Sequence, residues 1–215
     1  MKKKATAVIA ACMAIVLTAC IGSFDASKYV EGALKNIYLG DASTYMELVD
    51  ITEEEAAAEY ESGIEVEADF FLQYCGIPSV SNDVYQQIVD MYKNIYQHSK
   101  FEVQEAVKNG NDYNVEVLIS PIDIIVKNTD AISTTIDDFI ATMNPDDYAD
   151  EQSAYDAVMV SIVDLINADM ENLGYEDEIS VIVKVEQDEN GYYGLSSDAI
   201  GQLDQEILIS QELDN

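Results

Sequence analysis

Apolar positions keep a helical period from residue 25 as far as Ser99, give way to alternation, and then run through the same order again. In "SKYVEGALKNIYLG" Val30, Ala33, Leu34 and Ile37 share one helical face, with Asp25 or Ser27 as the cap and Gly40 as the stop. A shorter helical piece is expected from Thr44 to Val49. Thr52, with Glu55 three residues on, makes a capping box that opens a long helix. The stripe of that helix is Ala56, Tyr60, Ile64, Ala68, Phe71 and Cys75, and Gly76 and Pro78 end it. Ser81 starts the next helix, with Val84, Ile88, Met91 and Ile95 inward, lasting to about Ser99.

The period then falls to two. Phe101, Val103 and Val107 are expected on one side of a strand, and Tyr113, Val115, Val117 and Ile119 on the same side of its return, with Asn109-Gly110 between. Pro121 interrupts, and "IDIIV" reads as an extension or bend of the sheet edge. Thr129 to Met143 and Asp150 to Leu173 read as helices, separated by the turn Asn144-Pro145-Asp146. A second hairpin alternates through Ile179, Val181, Val183 and Val185, turns at Asn190-Gly191 and returns over Tyr192 to Leu195. Ser197 to Ile209 closes the chain as a helix or helical turn. Strands that alternate bury one face only, so the expected class is α+β: an antiparallel sheet built from two β-hairpins, helices packed on one face, and a helix-helix-hairpin order that occurs twice. One domain is expected over 25–215, and the doubled order allows a division into lobes at 25–127 and 128–215.

The first nineteen residues follow another logic. Lys2, Lys3 and Lys4 precede an uncharged run from Ala5 to Ala19, shorter than the ~20 residues a membrane span requires. A basic start, a short apolar run and small residues before a cut describe a signal peptide over 1–19. Its ending, Leu17-Thr18-Ala19-Cys20, resembles the lipobox of bacterial lipoproteins. That resemblance implies signal-peptidase recognition at Leu17, Thr18 and Ala19, a diacylated Cys20, and a short tether over 20–24. Cys12 would leave with the leader, Cys20 would carry lipid, and Cys75 would remain alone, so no internal disulfide framework is expected.

Charge narrows the partners. The chain has 10 basic residues, all lysine, against 42 acidic ones. Seven lysines and all the acids lie beyond residue 19, giving that part a formal charge of −35. Nucleic acid is not an expected ligand, because phosphate neutralisation requires clustered Lys or Arg. Docking on an anionic membrane by charge is disfavoured too, so the lipid must supply attachment. The acids are spread along the chain, as on a solvated surface.

The order of features, through "FDASKYVEGALKNIYLGD", "YMELVDITEEEAAAEYESGIE", "YKNIYQHSKFEVQEAV", "YNVEVLISPIDII" and "VIVKVEQDENGYYGL", resembles the uncharacterised Firmicutes lipoproteins in which a lipobox precedes a domain of unknown function. The resemblance spans the chain after the leader. It implies a Gram-positive cell-surface lipoprotein and brings no activity, and no site beyond Cys20.

Catalytic and metal signatures are sparse. His98, the single histidine, suits the negative end of its helix and joins no nucleophile motif. One histidine and one unmodified cysteine do not make a zinc or copper site of usual composition. Cys75, on the apolar stripe, reads as a buried, inert thiol. The metal candidate is Glu186, Asp188 and Asn190, followed by Gly191, which mimic the start of a calcium loop; Ser197 stands where its closing Glu is required, and a hairpin turn explains Asn190-Gly191 without calcium. Most of the fourteen tyrosines read as structural. The expectation is a lipid-anchored extracytoplasmic module that binds a small molecule, glycan or protein, with the concavity between sheet and helices as its site. The alternatives are a cell-envelope hydrolase using two carboxylates and a calcium-binding surface protein.

Overall fold

Residues 24–208 are described by a computed structural model; Leu17, Thr18, Ala19 and Cys20 lie outside the described residues. Helix α1 (Ala26–Leu39) starts where the Asp25 carboxylate accepts the Lys28 N–H at 3.0 Å. It stops at Gly40, whose φ of 67° lets its N–H turn back to the Asn36 carbonyl, a conformation that a side chain would strain. Its buried face is wider than the apolar spacing alone indicates, since Tyr29, Asn36 and Tyr38 are inside while Ile37 is only half-buried. Helix α2 (Ser43–Met46) packs on α1 so closely that a Cβ on Gly32 would come within 2.8 Å of the Tyr45 nitrogen. Helix α3 (Glu53–Tyr74) opens with the expected box: Glu55 accepts the Thr52 N–H at 2.9 Å and donates its own N–H to Thr52 Oγ1 at 3.2 Å. Ala56, Ile64, Ala68, Phe71 and Cys75 are buried along its stripe, with Tyr60 half-buried.

The described chain forms two compact units assembled from non-consecutive segments. The first takes Phe24–Gly63, Ser99–Pro121 and Asp177–Ile207 of the described residues. Its sheet comprises β1 (Lys100–Val103), β2 (Val107–Asn109), β3 (Asp112–Ser120), β4 (Ile179–Gln187) and β5 (Tyr193–Leu195), antiparallel throughout, in the order β1-β3-β4-β5 with β2 also on β3. Val115, Val117, Ile119, Val181, Val183 and Val185 are buried on one face, against which α1 and helix α8 (Ser197–Ile207) pack. The expected α+β class, with two hairpins joined along β3 and β4, is the observed one.

Val107 departs from its expected side. Val103 pairs with Val117, but Val107 pairs with Asn114, so one extra residue enters the strand between β1 and β2. Such a bulge shifts the register by one, and a one-residue shift sends a side chain to the other face. Val107 is accordingly 66% exposed. The intervening backbone stays tied down: Gln104 N–H bonds to the Glu116 carbonyl, and Ala106 N–H to Ser27 Oγ.

Among the described residues the second unit takes Ile64–His98, Ile122–Glu176 and Leu208. Its helices are the second part of α3, α4 (Asn82–Tyr96), α5 (Ile124–Lys127), α6 (Thr129–Thr142) and α7 (Glu151–Asp169), the last followed by a 3₁₀ turn over Met170–Asn172. Ser81 N–H bonds to Asp156 at 2.7 Å, fixing the start of α4 against α7, and Phe71 meets Tyr92 edge-on. Within "IDIIV", Ile124–Val126 belong to α5, and Ile122 makes isolated bridges to Tyr175 and Leu208 instead of extending the sheet. A short apolar run does not separate strand from helix by period, and here Asp123 accepts the Gly174 N–H and turns the chain. Asn128 then bonds to the Ile124 carbonyl and to Asp169, which also pairs with Lys127. The Asn128 and Asn172 hydrogen bonds, with Lys127 behind them, hold the Asp169 carboxyl below its ordinary value.

Candidate functional site

Helix α6 is poorly covered for so apolar a sequence. Ile132, Ile136, Phe139, Ile140 and Met143 recur at helical spacing, yet among them only Ile132 is buried. Ile140 is 67% and Met143 39% exposed. Beneath this stripe lies a cavity of about 540 Å³, in the size range of small-molecule sites. Cys75, Gly76 and Ile77, just past the end of α3, form one part of its wall, and Ala154, Tyr155 and Val158 of α7 another. Ile136, Phe139, Ile140 and Met143 contribute the α6 side, and Tyr148 comes from the connection. Asn144 and Pro145 start a 3₁₀ turn over Pro145–Asp147, and Pro145, Tyr148 and Ala149 of this connection join the cavity wall before α7 begins.

The mouth is acidic. Asp150 caps α7 by accepting the Ser153 N–H at 2.8 Å, while Ser153 Oγ accepts the Asp150 N–H at 3.1 Å. Glu151 accepts the Tyr155 hydroxyl at 2.8 Å. Phe139 and Tyr148 pack with ring centres 5.8 Å apart. Cys75 is the thiol of the wall; burial pushes its pKa up to about 12, so it is protonated and unreactive at neutral pH.

Other residues marked in the sequence are engaged elsewhere. Glu186 accepts Lys184 Nζ at 2.6 Å. Asp188 Oδ1 accepts the N–H groups of Asn190 and Tyr192, both at 2.8 Å, so it anchors the hairpin turn. Its hydrogen bond from Tyr192, then those from Asn190 and Gly191, hold the Asp188 carboxyl low. Among the described residues, no group of three or more His, Cys, Asp or Glu is disposed around a common metal position. His98 follows the end of α4, and its Nδ1–H donates to the Asn94 carbonyl at 2.9 Å; it forms no part of the cavity wall.

Two features gave little sign in the sequence. Phe24 stacks on Tyr193 with ring centres 4.2 Å apart and planes 2° from parallel, with Tyr29 and Tyr113 alongside. Phe24 is thus already packed against the first unit, one residue before the α1 cap. Glu59, on the polar side of the predicted α3 stripe, has a buried Oε2 with no hydrogen-bond partner, and burial followed by Glu55 raises its pKa. The Tyr45 hydroxyl is raised by burial and then by Glu59.

No protein-family model matches the chain, and no curated protein matches it in sequence. Its fold is similar to that of ycdA from Bacillus subtilis strain 168, a candidate lipoprotein, with a TM-score of 0.61 at 16% identity. The match takes in 86% of this chain and 56% of ycdA, so the chain spans little more than half the length of that protein. At this identity the likeness establishes the fold alone. Among the described residues, no helix is long and apolar enough to cross a membrane.

Proposed function

We propose that the chain is a lipid-anchored binding module on the extracytoplasmic face of a bacterial membrane, attached through Cys20, and that the α6–α7 cavity is its ligand compartment. The cavity carries the binding half of this reading: about 540 Å³ lined mainly by apolar side chains, in a chain whose formal charge is −32. The sequence Leu17-Thr18-Ala19-Cys20 supports the anchor, as does a fold shared with a candidate lipoprotein. Binding is preferred to carboxylate hydrolysis because the two acids at the mouth are engaged as a helix cap and as a tyrosine partner.

An alkyl chain of twelve carbons leaving water contributes on the order of 10 kcal/mol. Association costs at least ~4 kcal/mol in lost freedom. The balance corresponds to a Kd on the order of tens of micromolar. Titrating the full chain carrying Cys20→Ala with dodecyl maltoside, below its micellar concentration, should show one site of that strength. Ala154→Phe, which fills the cavity, should abolish it. Absence of heat, or equal affinity in the filled variant, would contradict the assignment.

A further inference from the structure

We infer that the α6–α7 cavity selects amphiphiles with a cationic, alkylammonium-type head; this rests on the cavity being the ligand compartment. Three observations converge. The interior is apolar, and its mouth carries the carboxylates of Asp150 and Glu151, with no basic residue on the wall. The rings of Phe139, Tyr148 and Tyr155 also line it, and aromatic faces attract quaternary ammonium groups. The surrounding sequence is wholly one-signed: residues 128–176 contain 12 acids and no Lys, Arg or His.

One feature pulls the other way. The amino end of α7 stands at the mouth, and a helix start carries about half a positive charge, which would favour an anionic head. That charge is already answered from within the chain. Asp150 bonds to the Ser153 N–H, and Glu151 follows immediately. Two full negative charges outweigh half a positive one, so the net field at the mouth attracts cations. A tail in the cavity and a head among the tyrosine rings and carboxylates satisfies both halves of the site.

Calorimetry on the full chain carrying Cys20→Ala separates the possibilities, using dodecyltrimethylammonium, dodecyl maltoside and dodecanoate below their micellar concentrations. The inference predicts one site at which the cation binds at least tenfold tighter than dodecanoate, with the maltoside between them. Raising salt from about 20 to 300 mM should shrink that ratio, because screening acts on the head and not the tail. Glu151→Gln should weaken the cation at least threefold and narrow the ratio, with circular dichroism verifying the fold. Equal affinities for the three probes would overturn the head-group inference and leave the cavity reading standing. Absence of binding by all three would remove both. Tetramethylammonium, which has no tail, reproducing the effect would also overturn it, since attraction to a generally acidic surface would then suffice.

Discussion

Cys75 lines the cavity but is 7% exposed, and its pKa of about 12 leaves roughly one thiol in ten thousand ionised at pH 8. The full chain carrying Cys20→Ala retains Cys12 outside the described residues. With Cys12 also replaced by serine, native protein should therefore leave a thiol reagent almost unreacted at pH 8 until denaturant is added. Reaction at the rate of a free thiol would contradict the burial. Glu59 shows the same physics with a carboxyl. Burial holds its folded pKa above the ordinary 4.5, so the folded state resists ionising it. Its contribution is favourable at low pH and is lost as pH rises through the raised value. Glu59→Gln should accordingly raise Tm at pH 7 and leave it nearly unchanged at about pH 4, where the native carboxyl is already protonated. Thermal melts at the two pH values check the sign.

At the level of elements, the sequence carried most of the answer where local chemistry decides the outcome. The Thr52–Glu55 box, the Gly40 stop and the alternation through Val115, Val117 and Ile119 are settled by nearby residues, and the helices and strands form where those signals stand. Elements decided by distant partners were not legible. Within "IDIIV" the helix starts only after Asp123, which is bonded to the distant Gly174, and the bulge before Val107 appears only once β2 is paired with β3. The bulge has a measurable consequence. Val107→Ser should leave stability within about 0.5 kcal/mol, as for an exposed side chain. Ile119→Ala, on the same hairpin but fully buried, should cost about 2–5 kcal/mol. Equal costs would place Val107 in the core and refute the register. The cavity belongs to the same class of hidden feature: Thr129 to Met143 is legible as a helix, but which of its apolar side chains line a cavity depends on segments distant in sequence, Cys75–Ile77 among them.

For the molecule as a whole, the two units alternate along the sequence, and a reading that proceeds residue by residue favours consecutive lobes. Contacts between segments far apart in sequence leave no local mark. Charge acts on this scale as well. A chain with −35 formal charge beyond residue 19 is repelled by anionic lipid, so the proposed acyl group on Cys20 must hold it at the membrane alone. Cys20→Ala should move the protein from the membrane to the soluble fraction or leave it as an unprocessed precursor; unchanged processing and partitioning would refute the anchor. The compartment itself is tested most directly by mapping amide chemical shifts of the full chain carrying Cys20→Ala as dodecyl maltoside is added. The perturbed amides should cluster at Cys75–Ile77, the second half of α6, the Met143–Asp150 connection and the first turns of α7. Shifts confined to the first unit, or no shifts at saturating ligand, would contradict the account.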